Sequence, residues 1–76
     1  MIKIELKLFV TLSRFLPQTA QAYEIADGKT VEELITDLGI PPDLVKLIFV
    51  NGRRQESNYV LQAGDRVGLF PPVGGG

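Results

Sequence analysis

The sequence predicts an α+β domain in which a mixed sheet of four to five strands carries one main helix across a single face. Three observations lead there. The segment "IKIELKLFV" alternates hydrophobe with charge over residues 2–10. A single later segment, "TVEELITDLGIPP", has helical spacing with both of its ends marked. The second half is cut into strand-length pieces by the turn pairs Asn51-Gly52 and Gly64-Asp65.

In the first segment Ile2, Ile4, Leu6, Leu8 and Val10 point one way, and Lys3, Glu5, Lys7 and Phe9 the other. Successive side chains of a strand face opposite sides, so this pattern is a half-buried strand. "TLSRFLPQTAQ" reads as a connection with room for one helical turn. Pro17 stops that turn, because proline has no amide hydrogen to donate. "AYEIA" supplies a second strand, antiparallel to the first and ended by Asp27-Gly28. Two strands do not stand alone in water, so further strands and cover must follow.

The helix begins at a capping box formed by Thr30 and Glu33, each serving an amide of the first turn. Val31, Leu34, Ile35 and Leu38 recur at i, i+3, i+4 and i+7, one apolar stripe. Gly39 provides a left-handed cap, and Pro41 and Pro42 forbid resumption. So short a helix is unstable alone and needs the apolar face of the first strand. Its carboxylates Glu32, Glu33 and Asp37 read as a solvated face rather than a metal site, so no metal is expected.

"LVKLIFVNGRRQ" is a strand running into the hairpin turn Asn51-Gly52. All four residues of "LIFV" are apolar, which leaves its parity open. In the last strand Val67 and Leu69 alternate with Gly68 and Phe70. Phe9, Gly68 and Phe70 then share the face opposite the helix, and we place Ile48 with them. Aromatic residues are enriched at interface cores, so this group reads as a partner-binding patch.

Composition closes off other classes. Seventy-six residues make one domain. There is no cysteine and no histidine, hence no disulfide, no thiolate zinc site, no thiol nucleophile and no imidazole base. Eight basic and nine acidic residues give a net charge of −1. Only Arg53 and Arg54 adjoin each other among the bases; they decorate a hairpin, and no nucleic-acid partner is expected. The longest apolar run, Leu47–Val50, is far too short for a bilayer, and the charged N-terminus is no signal peptide. A cytoplasmic protein with no membrane contact is expected.

The chain closes on "LFPPVGGG". A terminal carboxylate is ionised at neutral pH and is a poor electrophile, so it must be activated before it carries anything. Glycine lacks Cβ, which lets channel walls close on the backbone, while Pro71 and Pro72 hold the stem extended. We divide the chain into a domain over residues 1–70 and a tail over 71–76.

The string "LQAGDRVGLFPPVGGG" resembles the C-terminal block of MoaD-type sulfur carriers, L-x-x-G-D-x-V-x-x-x-P-P-V-x-G-G. Leu61, Gly64, Asp65, Val67, Pro71, Pro72, Val73, Gly75 and Gly76 match it. "LKLFVTLSRFL" is similar to the same family's first strand and turn, and the order of elements resembles the ubiquitin-like β-grasp fold. The resemblance implies a carrier, not an enzyme. Gly76 would be adenylated on a ubiquitin-activating-type partner (MoeB/ThiF-like) that uses ATP and Mg²⁺, with no cofactor bound by the carrier itself. A sulfurtransferase would supply the sulfur of a C-terminal thiocarboxylate. A MoaE-like large subunit of molybdopterin synthase would then use it in molybdenum or tungsten cofactor assembly. Pro71, Pro72, Val73, Gly74 and Gly75 would lie along the partner's channel. Thiamin-thiazole carriers are usually shorter, lack "PPV" and run from the first strand into Asn-Gly, unlike "TLSRF" here. A protein modifier joined through Gly76 to lysines needs the same activated terminus, and the sequence does not separate it from a carrier.

Overall fold

The computed structural model describes residues 1–72. Strands β1 (Ile2–Leu8), β2 (Tyr23–Ile25), β3 (Leu47–Val50), β4 (Arg53–Arg54) and β5 (Arg66–Phe70) form one sheet in the order β2-β1-β5-β3-β4. The central pair β1 and β5 is parallel, and every other pairing is antiparallel. Helix α1 (Val31–Asp37) is the only α-helix among the described residues. This is the mixed sheet with one helix that the sequence predicts, a β-grasp arrangement.

The core lies between α1 and one face of the sheet. Val31, Leu34 and Ile35 join Ile4, Leu6, Leu8, Val50, Val67 and Leu69 in one buried cluster. Leu38, the last member of the apolar stripe, packs half-buried against it. The capping box is complete: Thr30 Oγ1 accepts from the Glu33 amide, and Glu33 Oε1 accepts from the Thr30 amide. The Val31 and Glu32 amides donate to the carbonyls of Tyr59 and Ser57, at 3.0 and 2.8 Å. The first-turn amides that a helix cannot satisfy internally are thereby all used. At the other end Gly39 has φ +78°, its amide reaches Thr36 and that of Ile40 reaches Ile35. That pair of bonds is a Schellman motif, and it drives Ile40 into the core.

One expectation about the first third needs correction. The strand alternation does not extend to Val10. β1 stops at Leu8, and Val10 takes φ +54° with 73% of its surface exposed, opening a 3-10 turn over Val10–Phe15. The connection carries the expected helical turn before Pro17, and in addition it contributes to the core. Leu12 is fully buried and Ala20, in a second 3-10 turn (Ala20–Ala22), nearly so. Both belong to the buried core cluster. Pro71, grouped with the tail by sequence, is buried and Pro72 is exposed, so the packed body reaches one residue past β5.

Candidate docking face and base of the tail

Register decides which side chains share the outer face. Lys7, Gly68 and Phe49 lie in one row across β1, β5 and β3, and Leu47 pairs with Phe70 in the next. Phe9 lies just past the end of β1, tied to the sheet by its amide, which donates to the Leu69 carbonyl at 3.1 Å. Its ring stacks on that of Phe70, with centroids 4.2 Å apart and planes 3° from parallel. Phe49 meets Phe70 edge-on at 5.5 Å and 79°. Stacked and T-shaped pairs both suit the ring quadrupole, so the three rings hold one another in place.

Gly68 lies directly beneath the stack. A Cβ built there would lie 3.4 Å from Phe9 Cε2 and 3.9 Å from Phe70 Cε1. A methyl group there would be in ordinary contact with both rings, and the glycine keeps the space above the strand open to them. Phe9, Gly68 and Phe70 thus come together as expected. Ile48 does not. It is on the helix side, 9% exposed, because its register partner is the core residue Leu69. The residue of β3 that belongs to the outer face is Phe49. The shared parity of Ile48 and Val50 with the aliphatic residues of β5 is the signal that could have found it.

The patch forms a concavity of about 430 Å³, which Lys7 and Arg66 also line. At one end stands a clamp that sequence reasoning missed. Asn51 Nδ2 donates to Asp65 Oδ1 at 2.9 Å, and Asn51 Oδ1 accepts from the Arg66 amide at 2.9 Å. The other oxygen of Asp65 accepts from the Gln62 amide at 2.8 Å. Asp65 is 6% exposed, so it is more than a turn residue: it fastens the β3–β4 hairpin to the entrance of β5. The opposite end leads to the tail. The Phe70 carbonyl accepts from the Lys46 amide at 2.8 Å, and Pro71 follows, buried. The chain therefore leaves the sheet from a fixed point beside the aromatic stack. Val73, Gly74, Gly75 and Gly76 lie outside the described residues.

The carboxylates of α1 have local tasks. Glu33 caps the helix, and Asp37 pairs with Lys29 and raises its pKa above the usual lysine value, chiefly through that hydrogen bond. Among the described residues no three metal-ligating side chains gather at one point. No helix among them is long and apolar enough to cross a membrane.

A β-grasp body, an exposed aromatic face and a chain leaving from beside it define a small ubiquitin-like protein. The family model described as the ThiS family matches residues 6–76, and the chain belongs to that family, of the MoaD/ThiS type. The search of curated proteins returns no match. Among solved structures the chain is similar to the HVO 2177 protein of Haloferax volcanii, with 26% identity and a TM-score of 0.77. That match covers 99% of this chain and 87% of the other. It is also similar to a Pyrococcus furiosus protein described as a candidate molybdopterin converting factor, subunit 1. Identity there is 25%, the TM-score 0.70, and coverage 96% of this chain and 100% of that one. Small archaeal modifier protein 1 of Haloferax volcanii, at 23% identity, TM-score 0.71 and coverage of 96% and 100%, shares the fold.

Proposed function

We propose that this chain is a sulfur carrier in which Gly76 is activated and loaded, acting as the small subunit of a molybdopterin-synthase-type complex. The observation that carries the reading is a family match running through the "GDRV" and "PPVGGG" segments to Gly76 itself. The likeness to the candidate converting-factor subunit supports the choice of molybdopterin assembly as the destination.

The chemistry follows from the terminus. The carboxylate of Gly76 attacks the α-phosphorus of ATP on an adenylating partner that holds the Mg²⁺, forming the acyl-adenylate and releasing pyrophosphate. The terminal sulfur of a persulfide on a sulfurtransferase then displaces AMP to give an acyl disulfide, and a second thiol of the partner cleaves its S–S bond, leaving the thiocarboxylate on Gly76 and a disulfide on the partner. A large synthase subunit takes the sulfur to the pterin precursor, and the carrier returns as a carboxylate. Gly74 and Gly75 pass the narrow part of the channel, where no side chain is admitted. Pro72 and Val73 set the approach, and buried Pro71 anchors it. Phe9, Phe49, Gly68 and Phe70 give the partner a rigid surface from which tail length is measured.

The test is ATP–pyrophosphate exchange with the adenylating enzyme of the same organism, on the parent, on a chain lacking Gly76 and on a chain with one alanine appended. Deleting one residue withdraws the carboxylate by about 3.3 Å. Reacting atoms must approach to roughly 3–3.5 Å, so deletion and extension should both nearly abolish exchange while leaving thermal stability unchanged. Equal exchange from all three would remove the carrier reading. Intact mass of the protein from its host separates destinations: a gain equal to sulfur minus oxygen marks the thiocarboxylate, whereas a ladder of protein conjugates marks a modifier.

A further inference from the structure

We infer that the aromatic concavity receives a partner segment in which one large apolar side chain is flanked by carboxylates. The apolar group would lie on Phe9, Phe49 and Phe70, and the carboxylates on Lys7 and Arg66. This rests on the reading of the sheet face as a docking surface and names the chemistry of its occupant.

The floor is apolar, and Gly68 leaves it uncovered. The charged side chains that line it are both basic. Among the described residues only Lys7 and Arg66 bring charge to the lining of this concavity, although the molecule as a whole carries −1. Both are exposed, and among the described residues neither takes part in an ion pair. Glu5 stands opposite Arg66 in the register, but it makes no ion pair with it and does not line the concavity. Lys7 pairs with Gly68, two residues from Arg66 on the same face. Strand spacing and rise put their Cα atoms about 8 Å apart, so a short acidic segment can engage both. Ion pairs at such a rim contribute to steering and to the exclusion of wrong partners more than to raw affinity. An apolar segment flanked by lysines would bring like charges together and be rejected.

Phenylalanines beside basic groups also occur where single-stranded nucleic acid stacks its bases. Here the Phe9 and Phe70 faces are already stacked on each other, and the net charge is negative, so a protein segment fits better.

The experiment is an amide-resolved NMR titration of the full chain with three probes. These are a blocked peptide with leucine between pairs of glutamates, the same peptide with lysines, and a short oligothymidylate. The acidic peptide should move the amides of Lys7, Gly68 and Phe70 at millimolar concentration. Its binding should weaken in about 1 M salt, where screening acts within roughly 3 Å. The lysine peptide and the oligonucleotide should leave those amides in place. The double variant Lys7→Glu with Arg66→Glu should lose about tenfold or more in affinity for the acidic peptide and gain the lysine peptide. If reversal disturbs amide dispersion, Lys7→Gln with Arg66→Gln should abolish the preference without inverting it. Equal binding of both peptides, no shift with the acidic one, shifts confined to the α1 face, or tighter binding of the oligonucleotide would each overturn the inference. Pyrophosphate exchange by the parent chain reports separately on the carrier reading. Its absence would leave the peptide result decisive for the surface.

Discussion

Phe70 stacks on Phe9 and meets Phe49 edge-on, and under the carrier reading the same ring also anchors the partner. Its stack on Phe9 and edge contact with Phe49 mean that truncation costs some stability, about 0.5–1.5 kcal/mol per lost aromatic pair. As a docking anchor it should cost more in binding, on the order of 2 kcal/mol or more. Phe70→Ala is therefore expected to lower the urea midpoint modestly and to weaken the adenylating partner severely. Large destabilisation with unchanged affinity would show that the ring serves the fold alone. Lys29 gives a second expectation. Its hydrogen bond to Asp37 raises the lysine value in the folded state above the 10.5 of a free side chain. The stabilisation is complete below that unfolded value and is lost as pH rises through the folded one. Urea midpoints of the parent and of Asp37→Asn should stay a constant distance apart while pH is well below the lysine value of the unfolded chain, and converge as pH rises through the raised value of the folded state. A gap that persists there would rule out the pair as its source. At this scale the sequence was partly legible. Phe9, Gly68 and Phe70 were found from alternation, but Ile48 displaced Phe49 because a run of four apolar residues carries no period.

Helix α1 was the most legible element, since both of its ends are specified by local chemistry that needs no partner. Its weight in the fold rests on Leu34, which is fully buried. Leu34→Ala should cost about 2–5 kcal/mol, a large part of the total for a small domain. An unfolding measurement below half that range would refute the core assignment. The β3–β4 hairpin was legible as a turn and illegible as a junction. Asn51 at φ +54° and Gly52 at φ +80° give the left-handed pair that the tight turn demands. Nothing in "VNGRR" announces that the Asn51 amide also binds Asp65 and the backbone of Arg66, because those partners lie 14 and 15 residues away. Asn51→Gly separates the two duties. The turn keeps its conformational freedom, while Asp65 loses a donor at a buried carboxylate, so about 1–3 kcal/mol should be lost. If stability is unchanged, the clamp is ornamental. The connection after β1 was the least legible, because the buried Leu12 and Ala20 obey no local repeat.

For the molecule as a whole, alternating strand and helix signals were enough to give the fold class, and the candidate docking face followed once registers were known. What sequence alone did not supply was the junction between body and tail, where Pro71 is buried because β5 holds the residue before it in the middle of the sheet. That central position of β5 has a consequence for how the protein is made. The first strand and the last are neighbours and parallel, so the pairing with the longest span of chain between its members lies at the centre of the structure. Closing it requires nearly the full length of the polypeptide, which places this domain among slower, topology-limited folders for its size. During synthesis, a nascent chain ending before Arg66 lacks Val67 and Leu69 and has a sheet split into two pieces. An unfinished or misfolded copy then has no assembled aromatic face, because Phe70 and Gly68 arrive with the same strand that completes the core. Under the carrier reading, completion of the fold and readiness to be charged become a single event. The activating partner would thereby screen its clients for integrity without any separate checkpoint.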